Sequence, residues 1–159
     1  MAQIFAVPCT GQTDAALAVL RDRMVADGLR VAGVLQDRAP SASGGKAHMV
    51  LHDAAGRFTS VISQDLGAGA GGCRLDPGAL EDVVLRVAQA LPGADVLFVN
   101  RFGKQEEQGR GFAPLIAEAL DAGLTVIVAV APEKRAAFQG FAGDLAHWAD
   151  PADIAIAPA

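Results

Sequence analysis

Tyrosine is absent from this chain of 159 residues, tryptophan occurs once and cysteine twice. Basic residues are also few: 13 Lys and Arg stand against 18 Asp and Glu, a formal net charge of −5. Each shortage excludes something. Two cysteines, Cys9 and Cys73, make neither a disulfide framework nor a C-x-x-C pair, so the expectation is a reduced, cytoplasmic protein, with a bridge between the two left open. With no basic stripe and no interleaving of aromatic and basic residues, nucleic acid is not an expected partner. The longest apolar stretch, "GLTVIVAVAP", falls well short of the about 20 residues that span a bilayer, so no membrane partner is expected. The start, "MAQIFAVPCT", has no basic segment followed by a long apolar one, so no signal peptide is expected.

What the chain does have is aliphatic bulk. Apolar residues make up 52% of it, much of that alanine, which predicts a tightly layered α/β core in one domain over 1–159. "QIFAV" (3–7) reads as a buried first strand, broken by Pro8 and Gly11. Thr13 or Asp14 then caps a helix carrying Ala16, Leu17, Leu20 and Met24 on one face, ended by Gly28. "RVAGVLQ" (30–36) reads as a strand and "DRAPSASGGKA" (37–47) as a polar surface loop. "HMVLHD" and "GRFTSVIS" read as a hairpin around "DAAG", followed by a glycine-rich stretch over 65–72. Asp76 and Pro77 open a helix with Leu80, Val83, Val84, Val87 and Leu91 on one face. "ADVLFVN" (94–100) and "LTVIVAV" have the continuous apolar character of central parallel strands. Between them come a polar loop, "NRFGKQEEQGRG", and a helix, "FAPLIAEALDAG". "PEKRAAFQGF" begins a further helix and "DIAIAP" is a candidate last strand. Alternating strands and helices around an inserted hairpin predict a mostly parallel α/β sandwich with an antiparallel segment.

In such a sheet, ligands sit beyond the carboxyl ends of the strands. That edge collects the loops 8–14, 36–46, 100–108 and 131–136. In "PCTGQTD", Cys9, Thr10, Gly11, Gln12, Thr13 and Asp14 form a strand–glycine–helix turn able to aim backbone N–H groups at an anion, or else a plain helix start. Asn100 and Arg101 end the strand "ADVLFVN"; Arg101 and Lys104 offer cations for an anionic ligand. Glu106 and Glu107 either activate a water or are simply solvated. Arg135, with Lys134, stands in the first turn of the helix after the last strong strand, where it either contacts an anionic ligand or a partner or is simply exposed to solvent. His48 and His52, four apart on a strand, lie about 13 Å from each other and do not share a metal; no metal ligands are assigned. Cys9 at a helix start is also a candidate nucleophile.

In order of elements the chain resembles a family of small P-loop nucleoside triphosphatases. Those proteins have a G-K-T loop after the first strand and a D-E-I-G-x-M-E motif after a later one. "TGQTD" (10–14) lies over the first and "NRFGKQE" (100–106) over the second, with Gly103 and Glu106 retained. Through "CRLDPGALEDVV" and "NRFGKQE" it is more similar still to a bacterial family of uncharacterised proteins related to those enzymes, some associated with molybdenum genes. The resemblance implies a three-layer P-loop NTPase-like sandwich. It also exposes two departures: Gln12 stands where the family has its Lys, and Asn100 where it has its Mg²⁺-binding Asp. Phosphoryl transfer rests on those charges. The expectation is therefore a degenerate P-loop protein that binds a small anion or a nucleotide-like ligand as an accessory or sensor, with Mg²⁺ binding doubtful. Two alternatives stay open: an atypical NTPase or phosphotransferase, and a ligand-free protein-interaction module. The oligomeric state is not set by the sequence.

Overall fold

The computed structural model describes residues 2–39, 47–64 and 75–156. Among the described residues seven strands form one mixed sheet in the order β4-β3-β2-β5-β6-β1-β7. They are β1 (Gln3–Pro8), β2 (Val31–Ala39), β3 (His48–Asp53), β4 (Thr59–Val61), β5 (Val96–Val99), β6 (Thr125–Val130) and β7 (Ala146–Trp148). The helices are α1 (Thr13–Ala26), α2 (Pro77–Ala90), the single turn α3 (Lys104–Glu107), α4 (Ala113–Asp121) and α5 (Arg135–Ala142). From β2 to β7 the pairing is parallel throughout; β2–β3 and β3–β4 are antiparallel.

Both faces of the parallel region are covered, which is why its strands are apolar without interruption. Ile4, Ala6, Leu97, Val99, Val126 and Val128 pack against α2, α4 and α5 through Val83, Val87, Leu115, Ile116 and Phe138. The alternate residues Val7, Val96, Phe98, Ile127 and Ala129 meet Leu17, Leu20 and Met24 of α1. Three layers result. The chain leaves β1 toward β2 over one face and returns through β5 and β6 over the other, as right-handed crossovers in opposite directions require. Asp76 caps α2 by accepting the Ala79 N–H at 3.1 Å. No helix among the described residues is long and apolar enough to cross a membrane.

The structure corrects the sequence reading in four places. β2 continues through Asp37, Arg38 and Ala39, residues assigned to a loop, because each pairs with β3 (Asp37↔Val50, Arg38↔Met49, Ala39↔His48); positions 40–46 lie outside the described residues. β4 holds only Thr59–Val61, so the loop from β3 runs over five residues rather than the four of "DAAG". The "NRFGKQEEQGRG" loop contains the turn α3. The candidate strand "DIAIAP" is not one: Asp150 accepts the Ala152 N–H and caps a short 3₁₀ turn, and the edge of the sheet is instead β7. The glycine-rich stretch 65–72 and Cys73 lie outside the described residues.

Gly33 marks where β2 changes partner. Val31–Gly33 pair with β5, and Val34–Ala39 with β3. Its φ is +105°, and a Cβ there would stand 1.9 Å from the Phe98 carbonyl oxygen, so no other residue fits. By the β2–β5 register Asn100 lies level with Leu35. Gln36–Ala39 therefore project about 13 Å past it, at about 3.3 Å per residue, and wall one side of the carboxyl edge.

Candidate functional site

Between the neighbouring strands β1 and β6 the following helices depart to opposite faces: α1 to one, α5 to the other. This is the switch point where an open α/β sheet leaves a crevice. The turn 9–12, the stretch 100–103 and the 3₁₀ turn Pro132–Lys134 surround it.

The turn is held largely by itself. The β1–β6 ladder extends one residue further, with the Cys9 N–H donating to the Val130 carbonyl at 3.0 Å. The Thr13 hydroxyl accepts the Thr10 N–H at 2.7 Å and donates to the Pro8 carbonyl at 3.2 Å. The Gln12 N–H donates to the Thr10 hydroxyl, and the Thr13 N–H to the Thr10 carbonyl. Four of the amides a phosphate cradle would use are thus engaged within the fold. The Gly11 amide and the first-turn amides of Asp14 and Ala15 remain. Any helix start leaves such groups unpaired, and no side chain caps them: Gln12 holds the N-cap position expected of Thr13 or Asp14, without a capping bond. Gly11 has no left-handed φ, and a Cβ there would meet nothing within 4 Å. The fold itself does not demand glycine at that point. Thr10, Gln12 and Thr13 line a cavity of about 220 Å³ with Val7, Pro8, Ala16, Asp150 and Pro151.

All but one of the cationic candidates are spoken for. Arg101 does not await an anion; its guanidinium grips both carboxylate oxygens of Asp14, at 2.8 and 3.2 Å, and also bonds the Asn100 carbonyl at 2.7 Å. Lys134 pairs with Glu107. The Arg135 guanidinium lies 4.0 Å above the Trp148 ring. Lys104, exposed at the start of α3, has no charged partner among the described residues. Asn100 is buried, and its amide donates to the Gln36 side chain at 2.9 Å. Gln36 was not singled out from sequence, although a polar residue closing the apolar run "RVAGVLQ" beside Asn100 was the available signal.

Glu106 is neither solvated nor placed to activate a water, contrary to the sequence reading. It is 5% exposed, and its two oxygens accept the Gly103 and Phe112 N–H groups, each at 2.9 Å. It clips the segment 103–112 shut. Glu81 reinforces the clip by accepting the Gly111 N–H at 2.8 Å. Burial pushes the Glu106 carboxyl above its ordinary range, the bonds from Phe112 and Gly103 pull it back, and Glu81 adds a smaller upward push.

These groups do not fit a Mg²⁺-bound triphosphate. By the sequence resemblance Thr13 and Asn100 would be the groups to hold the metal, but the Thr13 hydroxyl is engaged with the Thr10 N–H and the Pro8 carbonyl and the Asn100 amide with Gln36. The loop signature also places a glycine five residues before Gly11, where Ala6 stands buried within β1, paired with Val128. The strand therefore runs on where a phosphate loop would begin to curl. Among the described residues no group of three or more His, Cys, Asp or Glu is placed to hold a metal, and Cys9 is a free, partly buried thiol.

The strand order, the covered faces and the strand–turn–helix at the switch point define a P-loop NTPase-like α/β sandwich. The fold is shared with a human cancer-related nucleoside triphosphatase solved in solution (TM-score 0.64, 15% identity, 94% of this chain and 88% of that one). It is shared equally with THEP1 from the hyperthermophile Aquifex aeolicus (TM-score 0.63, 12% identity, 94% and 89%). The chain belongs to the DUF2478 family, described as proteins of unknown function, whose model matches residues 2–157. It is also similar to the molybdenum import ATP-binding protein ModC 2 of Bradyrhizobium diazoefficiens, 37% identical over 122 residues. That match takes in 76% of this chain but 14% of the relative, so the chain spans a small part of that protein's length.

Proposed function

We propose that this protein binds a single small oxyanion at the turn 9–14, in an accessory or sensing role in molybdenum handling, and does not hydrolyse nucleotides. One observation carries the reading: an uncapped start of a 14-residue helix lies at the sheet's switch point behind a glycine that the fold does not require. A glycine of that kind suits close approach of a ligand to backbone. The cavity of about 220 Å³ is below the about 300–1,000 Å³ of pockets for larger ligands, which favours an oxyanion over a nucleotide. The missing cationic and metal-binding groups remove the electrostatics that phosphoryl transfer needs. Molybdate enters through the molybdenum import relative.

Thermal unfolding with molybdate, tungstate, phosphate and ATP tests the binding. A ligand present at 100 times its Kd and bound only by the native state stabilises by about 2.7 kcal/mol. Molybdate or tungstate should raise Tm by several degrees and ATP should not. A phosphate-release assay with ATP and Mg²⁺ should show no turnover. A shift with ATP and steady turnover would instead support an atypical NTPase; no shift with any of the four would favour a protein-interaction module.

A further inference from the structure

A cavity of about 750 Å³ lies away from this site. It lies at the opposite edge of the sheet, where β2 and β5 begin, between the carboxyl ends of α1 and α2 and the turn after β3. Its apolar surface comes from Val25, Leu29, Val31, Ala54 and Ala94, with Val25 left 50% exposed. Three arginines line it: Arg21, Arg30 and Arg57. Their situations differ. Arg21 is structural, since its Nε pairs with Asp22 at 2.6 Å and its terminal nitrogen donates to the Ala54 carbonyl at 2.9 Å, fixing the turn against α1. Arg30 and Arg57 are bonded only through their backbones: their N–H groups donate to the Asp95 and Asp53 carboxylates, and the Arg30 carbonyl accepts the Asp95 and Val96 N–H groups. Both guanidinium groups are exposed and have no hydrogen-bond or ion-pair partner among the described residues.

We infer that this groove is a second binding site, for a small molecule with one anionic head, carboxylate or phosphate, on an apolar body. A volume of about 750 Å³ lies within the range of small-molecule pockets, which pair apolar walls with a few directed polar groups. The charge balance chooses among anions. Asp22 and Asp95 are close by, and the carboxyl ends of α1 and α2 each add roughly half a negative charge, so the groove has little net field to draw in a polyanion. What it offers is two unpaired guanidinium forks, whose geometry matches a carboxylate or a phosphate through two parallel bonds. The apolar wall supplies the rest of the contact. The groove is distinct from the turn 9–14, so either assignment stands or falls without the other.

The test is a titration of the full chain followed by amide NMR shifts, with benzoate, phenyl phosphate and uncharged phenol as probes. Benzoate or phenyl phosphate should give saturable shifts at residues 21–31, 54–57 and 90–94, and which of the two binds identifies the head group. Phenol should bind at least tenfold more weakly. The double variant Arg30→Gln, Arg57→Gln, which breaks no bond between side chains, should keep the free-state spectrum outside the groove and weaken binding at least tenfold. Shifts confined to residues 8–16, equal binding of phenol, unchanged affinity in the double variant, or no saturable shift with either anion would overturn the proposal.

Discussion

Arg101 and Asp14, 87 residues apart in sequence, are joined by two hydrogen bonds of 2.8 and 3.2 Å that tie the end of β5 to the first turn of α1. β6 lies between their strands, so the pair bridges the carboxyl edge above it. The carboxylate sits where a bound anion would profit from the positive end of α1, and the guanidinium neutralises it. In the free protein the edge thus supplies its own anion and its own cation.

Asp14→Asn tests that reading. The side chains are about a quarter exposed, so losing the pair should cost about 1 kcal/mol of stability, read as a small drop in the urea midpoint. Freed Arg101 and one negative charge fewer should raise oxyanion affinity about tenfold. Unchanged or weaker affinity would show that Asp14 does not compete with the ligand.

Glu106→Ala leaves the Gly103 and Phe112 amides without their acceptor, and Phe112 is fully buried. The expected loss is about 2–4 kcal/mol, measured by chemical denaturation. A loss below about 0.5 kcal/mol would remove Glu106 from its role as the clip of 103–112.

The same carboxyl gives a pH signature. Its folded-state pKa is raised above the ordinary value of 4.5, so the folded chain holds this proton more tightly than the unfolded one. The resulting stability is fully present below about 4.5 and is lost as pH rises through the raised value. Denaturation curves across that window should therefore show wild type losing stability relative to Glu106→Gln as pH rises. The opposite slope would mean that the two amide bonds outweigh burial.

Gly33→Ala should be the most damaging conservative change in the sheet. It combines a φ of +105° with a Cβ placed 1.9 Å from the Phe98 carbonyl oxygen. A loss above about 3 kcal/mol, or failure to fold, is expected in thermal unfolding. Near-native stability would mean that β2 does not change partners where the structure places it.

The fold was legible in the sequence where burial was two-sided. "LTVIVAV" and "ADVLFVN" could scarcely be anything but central strands, and Asp76–Pro77 announced α2 through cap chemistry alone. It was illegible where neither face is fully buried. "DRA" (37–39) is strand only because β3 pairs with it, and β7 is three partly exposed residues held by β1. "DIAIAP" alternates like a strand, but Asp150 and Pro151 start a turn that carries it away from the sheet, leaving Ile154 packed under α1. At the site, Gln12 and Asn100 were legible as departures from the Lys and Asp of the enzymes the sequence resembles. The partners were not: nothing in the chain's local pattern brings Asp14 to Arg101, Gln36 to Asn100 or Lys134 to Glu107. Those contacts depend on strand order, which places β2 and β6 on either side of β5, and β5 and β1 on either side of β6.

The most direct test of the proposed function is a calorimetric titration of molybdate into wild type and Gly11→Val. A Cβ at position 11 would meet nothing within 4 Å, so the variant should unfold near the wild-type temperature while its side chain blocks the approach to the turn. The account predicts one molybdate bound per wild-type chain and none by Gly11→Val. No binding heat in wild type, or equal binding by a folded Gly11→Val protein, would contradict it.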